Sequence, residues 1–277
     1  MATEQTATKT ARDYYNSEDA DLFYAEVWGG EDIHIGLYQQ PDESIFDASR
    51  RTVEHMASRP RRPAAQTRVL DIGSGYGGAA RFLASEFGCR VTALNLSEVE
   101  NARHRTKNRQ AGLEHLVEVV DGSFEDVPAD DAAFDLVWSQ DAILHSSRRS
   151  TVLEEVQRVL KKGGEFVFSD PMQADDCPEG VLQPILDRIH LESLGSPSFY
   201  RRESLRLGLS EVAFEDLTHQ LTAHYGRVLQ ETERRESELS DRISGEYLAR
   251  MRKGLGHWVE GGHQGHLAWG IFHFRKD

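Results

Sequence analysis

The sequence predicts an α/β fold, with a doubly wound and mostly parallel sheet that carries helices on both faces. Between residues 66 and 171 of the 277-residue chain, short apolar segments alternate with segments of helical periodicity, a pattern typical of parallel strands joined by helical crossovers. The first apolar segment runs directly into a glycine-rich turn and then a helical segment. Sheets of this class commonly bind a nucleotide-like ligand at such a turn.

Five strands are predicted in the alternating region, and the chain after Pro178 is mainly helical. The predicted strands are 68–72, 89–95, 116–121, 133–139 and 165–170. The later elements are helices around 180–192 and 201–208, a strand at 212–220, a charged helix over 221–253, and a closing strand in LAWGIFHFRKD. We expect this last strand to join the sheet antiparallel. The part RVLQETERRESELSDRI of the charged helix, residues 227–243, is charged on all sides, which favours a solvated lid, with a dimer contact as the alternative.

Residues 1–277 are predicted to form a single domain with three parts. SRPRRPAAQT, residues 58–67, is rich in proline and arginine and has the composition of a linker. It separates an N-terminal helical cover, residues 1–65, from the core, residues 66–171. Residues 172–277 form a helical insertion and the final strands.

Charge and composition exclude several classes of partner. The formal net charge is −14, whereas nucleic acids and anionic membranes attract basic surfaces. No apolar segment approaches the ~20 residues that span a bilayer, and MATEQTATKT lacks the apolar core of a signal peptide. We therefore expect a cytoplasmic protein. Arginine outnumbers lysine 26 to 6, which fits either a protein adapted to salt or a genome rich in G and C.

Metal sites and disulfides are not expected. The two cysteines, Cys89 and Cys177, lie far apart in sequence and suggest neither a disulfide framework nor a thiolate metal site. His257, His263 and His266 lie close together in GHWVEGGHQGH, but no carboxylate or helical spacing supports a metal centre there.

The glycine turn in VLDIGSGYGGAARFLA is the strongest single signal in the chain. Gly73 and Gly75 allow a tight turn and the close approach of a ligand to the backbone. Asp71 precedes them, and the next helix is predicted to begin at Tyr76 or Gly77. This Asp-x-Gly-x-Gly arrangement resembles the first motif of class I S-adenosylmethionine-dependent methyltransferases, in which the loop holds the methionine part of the cofactor.

Later segments match the same class over residues 66–171. Asn95 occupies the place, 24 residues after Asp71, where the class commonly has an acid that binds the ribose hydroxyls, so the chain is one charge short there. DGSFEDVP, residues 121–128, resembles the motif beside the adenine. The resemblance implies S-adenosylmethionine as cofactor and these contacts: Asp71, Gly73, Ser74, Gly75, Tyr76, Asn95, Leu96, Gly122, Ser123, Phe124, Gln140 and Asp141.

A closer resemblance covers most of residues 14–275. VWGGEDIHIGLY, WSQDAILHS, HYGRVLQE and the long segment beginning FVFSDPMQADD are similar to the sarcosine/dimethylglycine N-methyltransferases, which add the last methyl groups of glycine betaine, an osmolyte. The phosphoethanolamine N-methyltransferases are more distant relatives that share DAILH and an N-terminal tyrosine. The resemblance implies that His145 is catalytic together with Tyr15 or the neighbouring Tyr14.

The acceptor of such a reaction needs an aromatic wall for its methylated ammonium and a partner for its carboxylate. Tyr24 and Arg188 are among the residues available for these tasks. The predicted acceptor contacts are Trp28, His34, Pro171, Met172, Tyr200, Arg201 and Tyr225. No basic cluster for a phosphate accompanies these motifs, which favours an amino acid as substrate.

Two alternatives to dimethylglycine methylation stay open on the sequence. One is methylation of another small amine such as phosphoethanolamine, and the other is a non-catalytic protein that binds S-adenosylmethionine. In each case we expect a small-molecule ligand, no metal, and a monomer or weak homodimer.

Overall fold

The computed structural model describes residues 17–28, 30–189 and 191–277. The strands are β1 (Arg68–Ile72), β2 (Arg90–Asn95), β3 (Val117–Asp121), β4 (Phe134–Gln140), β5 (Leu160–Gln173), β6 (Leu209–Asp216) and β7 (Leu267–Lys276). The helices are α1 (Glu18–Val27), α2 (Ile45–Ala57), α3 (Gly78–Phe87), α4 (Glu98–Gln110), α5 (Arg149–Val159), α6 (Gln183–Ile189), α7 (Pro197–Arg206), α8 (Thr218–Arg234), α9 (Glu236–Leu239) and α10 (Gly245–His263). A 3-10 turn, Ile143–His145, follows β4.

Seven strands form one sheet in the order β3-β2-β1-β4-β5-β7-β6. The first five strands are parallel, and β7 lies antiparallel between β5 and β6. The predicted mostly parallel sheet with an antiparallel last strand is therefore confirmed. The chain order reverses between β1 and β4, where Asp71 pairs with Trp138. Ligands of doubly wound sheets bind at the carboxyl ends of the strands at such a reversal.

The predicted helix over 221–253 is wrong in two respects. The chain forms α8 and α10 with the short α9 between them, and α10 restarts because the Ser244 side chain accepts a hydrogen bond from the Tyr247 amide as an N-cap. The segment 227–243 is also not solvated on all sides, because Val228, Leu239 and Ile243 are buried. Leu221, Tyr225 and Val228 form a buried stripe of α8, and the Tyr225 ring stacks on Trp258 of α10 at 4.8 Å.

Two strands begin or end at residues other than those predicted. β5 extends to Gln173, beyond the predicted 165–170, because it pairs with β7 along nine residues from Glu165 to Gln173. The predicted strand at 212–220 lies three to four residues earlier, as Leu209–Asp216, and Thr218 already begins α8. Among the described residues, no helix has the length and apolar character to cross a bilayer.

Stacked aromatic rings fill the core between β5, β7 and α7. The Phe168 ring stacks on Phe166 at 4.5 Å and on Phe272 at 5.0 Å, and it meets the Tyr200 ring edge-on at 5.1 Å. All four side chains are fully buried. This packing fixes the position of β5, whose carboxyl end borders the site described below.

We predict that Phe168→Ala lowers the free energy of unfolding by about 3–5 kcal/mol, because it removes a fully buried ring and leaves a cavity. Chemical denaturation would measure the change. The matched control is Leu205→Ala on α7, whose side chain is 71% exposed and which should alter stability by less than about 0.5 kcal/mol. Equal effects of the two substitutions would contradict the prediction.

Candidate active site

The glycine turn lies at the carboxyl end of β1. Gly73 and Gly75 have φ of +74° and +49°, a region that side chains rarely adopt. A Cβ on Gly73 would lie 2.3 Å from the Cβ of Ala142. The amides of Gly73 and Ser74 donate to the Leu94 carbonyl at 2.8 and 3.2 Å. These two hydrogen bonds join the turn to β2, and Gly73 and Gly75 line a cavity that a ligand can enter.

Many of the predicted cofactor contacts line one cavity beside this turn. The cavity is bounded by the ends of β1, β2, β3 and β4. Predicted residues that line it are Gly73, Gly75, Asn95, Leu96, Gly122, Ser123, Phe124, Gln140, Asp141 and His145. Residues of the lining that sequence reasoning missed are Ile33, Ser97, Glu100, Glu125 and Ala142.

Three predicted cofactor residues lie behind the lining. The Asp71 side chain is 3% exposed, and its Oδ2 has no hydrogen-bond partner among the described residues. Burial raises the pKa of Asp71 to about 7. The Ser74 hydroxyl is likewise buried and unpaired within the described ranges. Tyr76 instead anchors α1, because its hydroxyl donates to the Asp21 carboxylate at 3.0 Å.

Glu100 places a carboxylate beside Asn95. The Asn95 amide donates to Glu100 Oε2 at 2.9 Å, and both residues line the cavity. Burial raises the pKa of Glu100 to about 7, while this hydrogen bond acts in the opposite direction. The Glu100 amide donates to the Ser97 hydroxyl. The Ser-x-x-Glu spacing at the start of α4 was the available signal, because in a capping box the glutamate side chain is directed back toward the residue that precedes the helix.

Asp141 joins three parts of the chain at the edge of the cavity. Its Oδ1 accepts from the Ser169 hydroxyl at 2.7 Å and from the Trp269 indole at 2.8 Å, and its Oδ2 accepts from the Ile35 amide at 2.7 Å. The residue has φ +49°, a strained value that these bonds maintain. The segment before α2 is therefore fixed over the cavity, and Ile33 closes it opposite Gly75.

Gln140 presents a defined donor to the site. Its Oε1 accepts from the Trp138 indole N–H at 3.0 Å. An indole nitrogen can only donate, so this bond fixes the orientation of the amide. The Nε2 group is buried and unpaired within the described ranges. Among the described residues, the polar end of β4 therefore offers the cavity an unpaired donor, Gln140 Nε2, and an ordered carboxylate, that of Asp141.

His145 ends the 3-10 turn and lines the same cavity. Burial lowers the pKa of the imidazole to about 4, and the charges of Arg149 and Arg188 act in the same direction. The ring is therefore neutral at neutral pH and keeps a nitrogen lone pair that can accept a proton. Tyr15 and Tyr14, its predicted partners, lie outside the described residues.

The predicted acceptor residues on the helical side share a cluster with the turn that carries His145. Trp28 and Tyr225 are buried in the same hydrophobic cluster as Leu144, with their rings 6.0 Å apart. His34 is buried with Nε2 3.8 Å from the Asp32 carboxylate. None of these three residues lines the cavity described above.

The other predicted acceptor residues are placed elsewhere. Met172 and Tyr200 are fully buried in the aromatic core, because alternation along β5 directs Met172 to the same side as Phe168. Pro171 is buried in the β5–β7 pairing opposite Trp269. Arg201 was predicted as one of three available partners for the substrate carboxylate, and it does not line the cavity described above. Its guanidinium pairs with Glu211 of β6 at 2.9 Å on the surface.

Arg188 is one of two arginines, with Arg149, whose charges act on His145. Its charge contributes to the lowered pKa of His145, and its Nη2 lies 3.0 Å from the Met251 sulfur. A Cβ on Gly254 would lie 2.3 Å from the Arg188 side chain. Glycine at this position of α10 therefore makes room for the arginine.

Comparison with known proteins gives consistent matches. Residues 70–168 match the methyltransferase domain family. The chain is 63% identical to the sarcosine/dimethylglycine N-methyltransferase of Halorhodospira halochloris over the full length of both proteins, and 54% identical to the dimethylglycine N-methyltransferase of Parasynechococcus marenigrum over 98% of this chain and 96% of that protein. A solved structure from Galdieria sulphuraria, provisionally assigned as a sarcosine dimethylglycine methyltransferase, has a TM-score of 0.90 and 43% identity, covering 95% of this chain and 99% of that one.

We predict that Glu100→Gln weakens binding of 5′-methylthioadenosine, which carries adenine and ribose but no group that titrates between pH 5 and 9. Loss of a charge-assisted hydrogen bond of about 1.5–3 kcal/mol corresponds to a weakening of roughly 10- to 100-fold at pH 8. Because the Glu100 pKa is raised to about 7, the carboxyl is protonated below that pH. Wild-type affinity should therefore fall as the pH drops from 8 to 6.

Isothermal titration calorimetry would measure both effects. Glu98→Gln, in the same helical turn but exposed, should bind like the wild type and show the same pH dependence. Glu100→Gln should lose most of that dependence. Wild-type affinity in Glu100→Gln would remove Glu100 from the cofactor site.

Proposed function

The chain belongs to the family of sarcosine/dimethylglycine N-methyltransferases, and on this premise we propose that it methylates dimethylglycine, and also sarcosine, to form glycine betaine. S-adenosylmethionine is the methyl donor. The observation that carries the proposal is a neutral, half-buried imidazole, His145, on the same cavity as the glycine turn. The acidic, lysine-poor composition agrees with the production of an osmolyte. We expect the enzyme to act in the cytoplasm as a monomer or weak homodimer.

The residues around the cavity fit S-adenosylmethionine. Buried polar atoms of Asp71, Ser74 and Gln140 have no partner among the described residues, and buried polar groups normally have one. We expect the glycine turn and these groups to hold the methionine part, Glu100 with Asn95 to accept from the ribose hydroxyls, and residues 122–124 to border the adenine. When bound, the cofactor supplies a methyl group on a positively charged sulfur.

His145 would prepare the acceptor amine. An aliphatic amine is protonated at neutral pH, since its pKa lies near 10, and the ammonium form cannot attack. Burial disfavours the charged form of any cation, so a closed site lowers the pKa of the bound amine. The neutral His145 ring would accept the proton that the amine loses, and this loss frees the nitrogen lone pair for attack on the methyl group.

The acceptor carboxylate and methyl groups need further contacts. Arg188 is our candidate for the carboxylate, because its charge lies near His145 and a guanidinium offers a bidentate fork. Trp28 and Tyr225 are candidates for the aromatic wall, since they belong to the cluster that includes Leu144. Contact of a methylated ammonium with such rings contributes about 0.5–2 kcal/mol.

We predict turnover of dimethylglycine to betaine by the wild type and a loss of about 10²–10⁴-fold in kcat for His145→Ala, the range for a missing general base. Methyl transfer from labelled S-adenosylmethionine to glycine, sarcosine, dimethylglycine and phosphoethanolamine, measured in parallel, would test both. His115→Ala, an exposed histidine, is the control and should retain wild-type kcat.

Two outcomes would contradict the proposal. Turnover of phosphoethanolamine alone would point to the other small-amine substrate and leave the fold unaffected. Cofactor binding without turnover of any of the four amines would favour a non-catalytic binding protein or a different acceptor.

A further inference from the structure

The turn that carries His145 is held at both backbone groups of the preceding residue. The Leu144 amide donates to Asp170 Oδ1 at 2.9 Å, and the Leu144 carbonyl accepts from Arg149 Nη2 at 3.0 Å. Arg149 also donates to the Ser193 carbonyl. Asp170 is fully buried and Arg149 nearly so. Asp170 cannot exchange its partner for bulk water, so the peptide beside His145 has little freedom.

A tyrosine determines the orientation of this aspartate. Asp170 Oδ2 accepts from the Tyr200 hydroxyl at 2.5 Å. The Tyr200 ring packs edge-on against Phe168 at 5.1 Å and is fully buried. A Cβ on Gly195 would lie 2.8–2.9 Å from the ring edge and hydroxyl of Tyr200. The hydroxyl therefore occupies a fitted site and has one carboxylate to bond.

We propose that Tyr200 is a positioning residue for methyl transfer, because its hydroxyl orients Asp170, and Asp170 with Arg149 fixes the turn that presents His145 to the cavity. This inference rests on the proposed role of His145. Tyr200 does not line the cofactor cavity, so it acts through Asp170 and the Leu144 peptide. For Tyr200, this indirect role takes the place of the direct contact with the acceptor that the sequence predicts.

The charges around Asp170 make the role testable by pH. Burial raises the pKa of Asp170 to about 7, and the Tyr200 hydroxyl and the Leu144 amide oppose this effect. The charged or titratable groups that face it are Tyr200 on α7, Arg149 on α5 and Asp141 after β4, and its pairing partner on β7 is a glycine. Removing the Tyr200 hydroxyl therefore raises the pKa further. Asp170 would then be neutral over more of the assay range, which weakens its bond to the turn.

The experiment is steady-state kinetics of Tyr200→Phe with dimethylglycine between pH 5.5 and 9. We expect kcat to fall by about 10- to 100-fold, the effect of a displacement of about 1 Å in a catalytic group. The KM for S-adenosylmethionine should be unchanged. The acid limb of the kcat–pH profile, the range in which kcat falls as the pH drops, should move to higher pH. In an Asp170→Asn background, which keeps the shape but cannot titrate at this position, Tyr200→Phe should not move this limb.

The matched control is Ser204→Ala on the same helix. Ser204 is fully buried, and its hydroxyl has no partner among the described residues. It tests the loss of a buried hydroxyl without loss of the contact to Asp170, so its kcat and acid limb should equal those of the wild type. A Tyr200→Phe enzyme with wild-type kcat and pH profile would overturn the proposal.

A second measurement separates this inference from the proposed function. Histidine side chains labelled with ¹³C and ¹⁵N give an NMR signal for His145 that is assigned by its absence in His145→Ala. Tyr200→Phe should shift that signal, and Ser204→Ala should not. If the wild type fails to methylate dimethylglycine, the proposed function fails, while the NMR result still tests the link from Tyr200 to His145. An unchanged His145 signal in Tyr200→Phe would overturn it.

Discussion

Two neighbouring residues of β5 fix the segment after β4, and the rest of the site depends on that constraint. The Ser169 hydroxyl bonds the Asp141 carboxylate, and the Asp170 carboxylate bonds the Leu144 amide. The side chains of Ser169 and Asp170 point to opposite faces of β5. Ser169 therefore holds Asp141 at the edge of the cofactor cavity, and Asp170 separately holds the turn that carries His145. Asp170 is fully buried, and a buried carboxylate is costly unless fully bonded, so Asp170 tolerates few alternative arrangements.

Burial gives the site a consistent electrostatic character. The pKa values of Asp71 and Glu100 are raised to about 7, and that of His145 is lowered to about 4. All three shifts favour neutral side chains, because the surroundings solvate charge poorly. A cationic ligand would restore the charge of the carboxylates on binding. An amine that enters the same surroundings would lose its proton more readily than in water.

The N-terminal and C-terminal parts of the chain complete the site through backbone groups. Consecutive amides of Ile35 and Gly36 donate to the Asp141 carboxylate and to the His224 ring. The first bond connects the segment to the cavity edge, and the second connects it to α8. The insertion after β5 therefore does more than cover the sheet, since α8 holds the segment that closes the cavity opposite the glycine turn.

The sequence by itself determined the sheet and the cavity edge of this protein. Strand periodicity, the glycine turn and the polar residues after β4 are local signals, and parallel strands bring their carboxyl ends together whatever the details of packing. Only the tertiary structure decided which side chains meet. Arg201 pairs with Glu211 and Arg188 approaches His145, although both arginines lie in the same insertion. Tyr200 faces Asp170 because rings from β5 and β7 leave one place for it. Such partners come from elements far apart along the chain, and packing fixes them through contacts that no local pattern records.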